Sequence, residues 1–199
     1  MALKFQFNKT EMQRLEKDLK IRRRALPTLK AKETALRLEV KKAKEELRTA
    51  RSVYEQHYER MMEFHLLWEE FPEQIFTVRD VSLQFKKIAG VKIPFLTDVD
   101  FSISAESFFT TPSWIATGIQ ILKEAARLDI EIEVARERLV ILEYARKKTT
   151  QKVNLYEKVQ IPAYQGAITS IKRFLEDKEN IAKAAQKITK KKLELAGAQ

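Results

Sequence analysis

Counting forward from Met12 in alternating steps of three and four meets Leu15, Leu19, Leu26, Leu29, Leu36, Val40, Ala43, Leu47, Ala50, Tyr54, Met61, Phe64 and Trp68, and only Arg22, Glu33 and His57 break the apolar run. A stripe that repeats every 3.5 residues over so long a stretch specifies a helix supercoiling against a partner. Thr10 and Gln13 stand in capping-box relation and are expected to start this helix, and Pro72 is expected to stop it. Its length would be about 90 Å at the usual rise per residue. A second count from Ile121 passes Ala125, Leu128, Ile132, Ala135, Leu139, Leu142, Val153, Tyr156, Ala163, Ala167, Phe174, Ile181, Ala184, Ile188 and Leu195, with polar breaks at Arg146, Thr149, Gln160, Ser170, Asp177 and Lys191. Thr111 followed by Pro112 supplies a cap and a first-turn proline for it. This seam is leakier, with small residues from Ala163 to Ser170. Pro27 and Pro162 each remove a backbone donor inside a helix and are expected to bend it.

Between the two helices the period changes to two. Val81, Leu83 and Phe85 alternate with Ser82, Gln84 and Lys86, and Val99, Phe101 and Ile103 alternate with Asp100, Ser102 and Ser104. That pattern predicts two strands, turning near Ala89-Gly90. Pro94 is expected at an edge or a strand end. A lone hairpin is marginal in water, so its aromatic face is expected to pack near Phe64, Trp68 and Trp114 or on another protein.

Composition supports few, long elements: the chain has 4 Gly and 5 Pro in 199 residues, where average usage would give about 14 and 10. Eight of the eleven Phe and both Trp lie between Phe64 and Trp114, around Pro72, Gly90, Pro94 and Pro112. The expected fold is all-α: a long antiparallel two-helix coiled coil with a small central insert containing a β-hairpin. Its parts are an N-terminal helix over 10–71, an aromatic insert over 72–112 and a C-terminal helix over 113–196. The same seams could pair between chains, but effective concentration favours pairing within one.

Candidate chemistry is sparse. There is no Cys, the two His (His57 and His65) lack a zinc-ligand spacing, and no glycine-rich phosphate loop occurs. His57 reads as a packing residue on the seam and His65 as a surface group. No stretch of eighteen apolar residues occurs and the first eight residues lack an apolar signal region, so direct membrane insertion and secretion are not expected. No enzyme activity, cofactor or metal is expected of this chain.

The net charge of +10 is unevenly spread: 17 basic against 12 acidic groups over 1–71, 4 against 5 over 72–115, and 17 against 11 over 116–199. Arg22, Arg23 and Arg24 with Lys17, Lys20, Lys30 and Lys32 form one basic cluster, and Lys178, Lys183, Lys187, Lys190, Lys191 and Lys192 form another. In an antiparallel pair both fall towards the same end, a docking tip for an acidic or polar surface. A basic coiled coil could also bind nucleic acid, but stacking aromatics would then be expected among the cations, and here they sit in the insert.

Three stretches give the chain a family resemblance. Asn8-Lys9-Thr10 with Leu15 to Lys20 and Leu29 to Lys32, Ile88-Ala89-Gly90-Val91-Lys92-Ile93-Pro94, and Val153-Asn154 through Ile161-Pro162 to Ile171-Lys172 and Glu176 resemble, in the family's order, the D subunit of V-type and archaeal A-type ATPases. Pro27, Lys32-Glu33-Thr34 and Ala89 depart from its pattern. The resemblance implies a non-catalytic rotor shaft standing in the bore of a catalytic head of A and B subunits, on the cytoplasmic side of a membrane-bound complex. It implies the F subunit alongside, and the C subunit (d in eukaryotes) joining the foot to an ion-carrying ring. The F-type gamma shaft is excluded because its central domain cannot fit between 72 and 112. On this reading Arg22, Arg23, Arg24, Lys187, Lys190, Lys191 and Lys192 are head contacts. Val81, Leu83, Phe85, Ile88, Gly90, Ile93, Pro94 and Phe101 form a hairpin interface.

Overall fold

The computed structural model describes residues 4–72, 75–103 and 112–196. The expected cap at Thr111 and the strand position of Ser104 lie outside the described residues. The elements are α1 (Lys9–Met62), a single turn α2 (His65–Trp68), strands β1 (Phe76–Ile88) and β2 (Val91–Ile103), α3 (Trp114–Asn154), a π-helical segment (Leu155–Gln160) and α4 (Ile161–Ala196). By internal contacts the chain divides into two compact units, Met1–Ala31 with Thr149–Gln199, and Lys32–Lys148. The two long helices pair antiparallel within each unit, the arrangement that effective concentration favours.

The first seam is read correctly almost to its end. Every counted position from Met12 to Met61 is buried or half-buried, the polar interruptions included, while Phe64 is exposed. The helix ends differ from expectation. Asn8, not Thr10, caps α1: its Oδ1 accepts the Glu11 amide at 2.6 Å. The C-terminal stop comes at Met62, ten residues before Pro72. There the Trp68 indole N–H donates to the Met61 carbonyl at 2.8 Å and His65 Nδ1 lies 3.2 Å from the Met62 carbonyl. Side chains thus take up terminal carbonyls that a continuing helix would have bonded. Trp68 is turned back onto Phe71 and Trp114, with ring centroids 5.7 and 6.2 Å away. Pro27 is accommodated inside α1.

In the unit containing the chain ends, Leu15 is fully buried against Tyr164, Ala167 and Ile171, with Met12, Leu19, Ile168 and Leu175 around them. The second seam holds to Gln160, and past the π segment the buried face moves on by one: Tyr164, Ile171 and Leu175 turn inwards where the count gives Ala163, Ser170 and Phe174. The wide π turn just before Pro162 shifts the phase of the stripe, and a proline that cannot donate to the preceding turn is a natural neighbour for it. From Asp177 to Lys191 the counted seam is exposed, as are all of residues 176–193.

In the other unit, Leu47 packs on Ile132 and Ala135, and Leu36, Val40 and Ala43 pack on Leu142. The hairpin lies along this pair. Its turn is where the sequence places it, with Ala89 at φ 48 and Gly90 at φ 78. Two successive positive φ values suit the right-handed strand twist, as in a type I′ turn. Left-handed backbone is costly for Ala, at roughly 1 kcal/mol or more, so Ala89→Gly is expected to raise unfolding stability by about 0.5–1 kcal/mol. A urea melt checks this; a lower midpoint would mean that the Ala89 methyl, which packs on the Leu36–Leu142 cluster, outweighs the strain.

Face choice along the hairpin follows the sequence reading only at its open end. Ile88, Val91, Ile93 and Phe95, near the turn, pack on the Leu36–Val40–Leu142 cluster, far from the helix ends where the aromatic face was expected. Phe85 and Leu83 are left 53% and 38% exposed. Near the open end the other set turns inwards: Phe76 and Ile103 join Ile75, Ile115, Ile119, Phe71 and Trp114. Two register shifts, between Val78 and Asp80 and between Ser82 and Leu83, lie between these regions. Bulges and strand twist together rotate the packing face. Both strands are edges, which is where Pro94 is tolerated.

Candidate functional site

What the described surface offers is interfaces. Among the described residues no group of His, Asp and Glu side chains is arranged to hold a metal ion, and no helix is long and apolar enough to cross a membrane. His57 is a seam residue as expected, its Nε2 3.3 Å from the Glu124 carboxylate, while its buried Nδ1 meets no partner among the described residues.

The basic residues separate into two kinds. Arg22 is engaged within the fold: Nε donates to Gln160 Oε1 at 2.9 Å, Nη1 donates to the Asp18 carbonyl at 3.1 Å, and the guanidinium lies 4.4 Å from the Tyr164 ring centroid. Lys30 bridges the same helix pair to Glu157 at 2.5 Å. Arg23 and Arg24 are exposed and, with Glu16, Leu19 and Lys20, line a shallow groove. Lys187, Lys190, Lys191 and Lys192 are exposed on the part of α4 that has run past its α1 partner. The two clusters do not meet: Lys187 lies about 40 Å beyond Gln160 along the helix at 1.5 Å per residue.

That overhanging segment still carries a seam. Ile181 and Ile188 are 70% and 59% exposed, a heptad apart and ringed by lysines. Its helix is supported locally by Lys183, 2.7 Å from Glu179, which holds the Glu179 carboxyl below its usual range by hydrogen bonding and charge. Among the described residues no element covers this apolar stripe.

At the other end of α1, Phe64, Leu67, Trp68, Trp114, Thr117, Gly118 and Ile121 enclose an apolar pocket of about 190 Å³. A Cβ on Gly118 would come within 3.3 Å of Trp68, Phe71 and Trp114, so the small residue is what lets three aromatic rings close over the helix. Phe64 and Leu66 stay exposed beside the pocket.

The proposed hairpin residues are also divided. Ile93 and Pro94 are fully buried and Ile88 packs inwards. Gly90 sits at the turn, 3.3 Å from Lys32 Nζ at its Cβ position. Phe101 stacks on Phe76 at 5.2 Å, Val81 is half-buried, and Leu83 and Phe85 are the apolar side chains of this set left open to a partner. Sequence reasoning missed Arg138, which joins α3, α1 and β2. Its signal was weak, because it flanks the seam and the three-four count passes it by.

The sequence matches the family model for the ATP synthase D subunit over residues 11–191. It is 30% identical over 192 residues to the V-type ATP synthase D subunit of Borreliella burgdorferi, covering 96% of this chain and 95% of that one. It is 33% identical over 175 residues to the V-type ATP synthase D subunit of Chlamydia pneumoniae, covering 85% and 84%. The Chlamydia muridarum protein of the same name is 33% identical over 174 residues, covering 85% and 86%.

Proposed function

The chain belongs to the ATP synthase D-subunit family, and on that premise we propose how its surfaces divide the work of a rotor shaft. It is a non-catalytic central-stalk component of a V-type rotary ATPase. Rotation of the stalk couples ATP hydrolysis or synthesis in the catalytic head to ion movement through the membrane part. The family match along almost the whole chain carries this function, and nothing favours nucleic-acid binding.

The head-facing end is proposed to be the unit that holds both chain ends. Exposed lysines and an uncovered isoleucine stripe on residues 176–193 suit a polar or acidic bore formed by the A and B subunits. Many weak, solvent-screened contacts permit sliding, whereas a few buried ion pairs would lock. Arg23 and Arg24 are proposed to extend that contact, while Arg22 is proposed to act mainly through its hold on Gln160 and Tyr164. The pocket formed by Phe64, Trp68 and Trp114 is proposed as the seat of the C subunit (d in eukaryotes), and the outer hairpin face with Leu83 and Phe85 as the surface for the F subunit. The proposed location is the cytoplasmic side, peripheral to the membrane.

Co-purification from native membranes tests the assembly directly: the A, B, F and C subunits should be recovered with this chain, which alone should hydrolyse no ATP. Recovery of RNA without head subunits would overturn it. Replacing Arg23, Arg24, Lys187, Lys190, Lys191 and Lys192 by Gln should lower ATP-driven turnover of the assembled complex severalfold, with a melt close to that of the parent. Unchanged turnover would remove these residues from the head contact.

A further inference from the structure

The hairpin carries apolar residues on both faces, so hydrophobic burial alone does not decide which face meets the helices. Near the turn one face offers Ile88, Val91, Ile93 and Phe95, and the other offers Leu83 and Phe85, with Leu96 and the buried Pro94 opposite them. We propose that Arg138 is the positioning residue that makes this choice, latching the hairpin to the helical pair as a strap with the Leu83–Phe85 face outward. The inference rests on the geometry of the hairpin and its helices, and not on the partners proposed above.

Three contacts of one side chain carry it. Arg138 Nε donates to the Pro94 carbonyl at 3.1 Å, Nη1 donates to Glu46 Oε2 at 2.6 Å, and the guanidinium lies 3.9 Å from the Phe95 ring centroid. The side chain is only 13% exposed. Arg138 is on α3, Glu46 on α1, and Pro94 and Phe95 on β2, so one planar group ties three elements. The stacking requires Phe95 to point at the helices, and Phe95 shares its face with Ile93, Val91 and Ile88. Phe85, with Lys92 Nζ 4.5 Å from its ring centroid, is left on the other side. An ammonium could replace the charge of Arg138, but it could not both stack flat and donate in two directions.

Hydrogen exchange on the full chain tests this. In Arg138→Met, the backbone amides of Ile88, Val91, Ile93 and Phe95 should exchange faster by about tenfold or more, while those of Val40, Ala43 and Leu142 keep their protection. Trypsin should cut sooner after Lys86, Lys87 and Lys92. Arg138→Lys should not restore the protection. The exchanged pair Glu46→Arg with Arg138→Glu keeps an ion pair but removes the stacking and the carbonyl bond, and should remain loose. Protection restored by that pair, or hairpin amides unchanged in Arg138→Met, would overturn the latch. Phe95→Leu leaves the Arg138–Glu46 bridge possible and should give the same local loosening. A loss of protection along the helices in both Arg138→Met and Phe95→Leu would instead show that these residues hold the helical pair together, and would also overturn it.

Discussion

Replacing Leu142 by Ala is expected to destabilise the chain by about 3 kcal/mol, the usual cost of emptying a fully buried leucine site. Leu142, Leu36 and Ile93 are each at most 1% exposed and meet in one cluster, one from each of α3, α1 and β2. The surrounding residues cannot collapse into the space from one side, because each belongs to a different element held elsewhere. The loss should therefore combine lost burial with a residual cavity, and the hairpin should loosen along with the helix pair. Urea unfolding followed by far-UV circular dichroism measures it. Val140→Ala, at a neighbouring position that is 61% exposed, should change the same quantity by less than about 0.5 kcal/mol. A Leu142→Ala loss no larger than the Val140→Ala one would show that the three elements do not share a core.

Ending the chain after Lys178 should separate stability from function. Residues 176–193 are all exposed, so the denaturation midpoint of the shortened chain should stay near that of the parent. Helix signal should fall only by the contribution of the removed turns. In the assembled complex the same shortening removes Ile181, Ile188 and four of the proposed head lysines, and ATP-driven rotation should drop severalfold. A collapse in stability would mean that the segment packs within the isolated chain. Full rotation by the shortened shaft would place the head contact elsewhere, on Arg23 and Arg24 or beyond them.

These two experiments probe opposite kinds of helix surface, and the sequence distinguishes them only partly. The seam count meets Leu15, Leu36, Leu142 and Ile188 with equal regularity, yet the first three are buried and Ile188 is not. Periodicity states that a face is apolar, while burial depends on whether another helix extends far enough to cover it. α1 begins at Lys9, and among the described residues nothing covers the turns of α4 past Leu175.

Arg22 and Arg138 show the same limit for charged residues. As sequence, Arg22 belongs to a basic run and Arg138 to an ordinary mixed helix face. In the fold, Arg22 is held by Asp18, Gln160 and Tyr164, and Arg138 by Glu46, Pro94 and Phe95. An arginine can serve solvent, a carboxylate, a carbonyl or an aromatic face, and the choice belongs to residues far away in sequence.

The sequence by itself determined the two long helices, the site of the hairpin turn and the family, and it favoured antiparallel pairing within the chain. Each rests on a local period, a local breaker or a run of motifs. Tertiary structure alone decided where α1 stops, how the stripe shifts phase at the π turn, which hairpin face turns inwards and how far the second seam is covered. The physical reason is that a period constrains directions relative to one helix or strand axis. Phase, extent and face are fixed only when Trp68, Pro162, Phe95 and Arg138 meet neighbours that the chain brings from elsewhere.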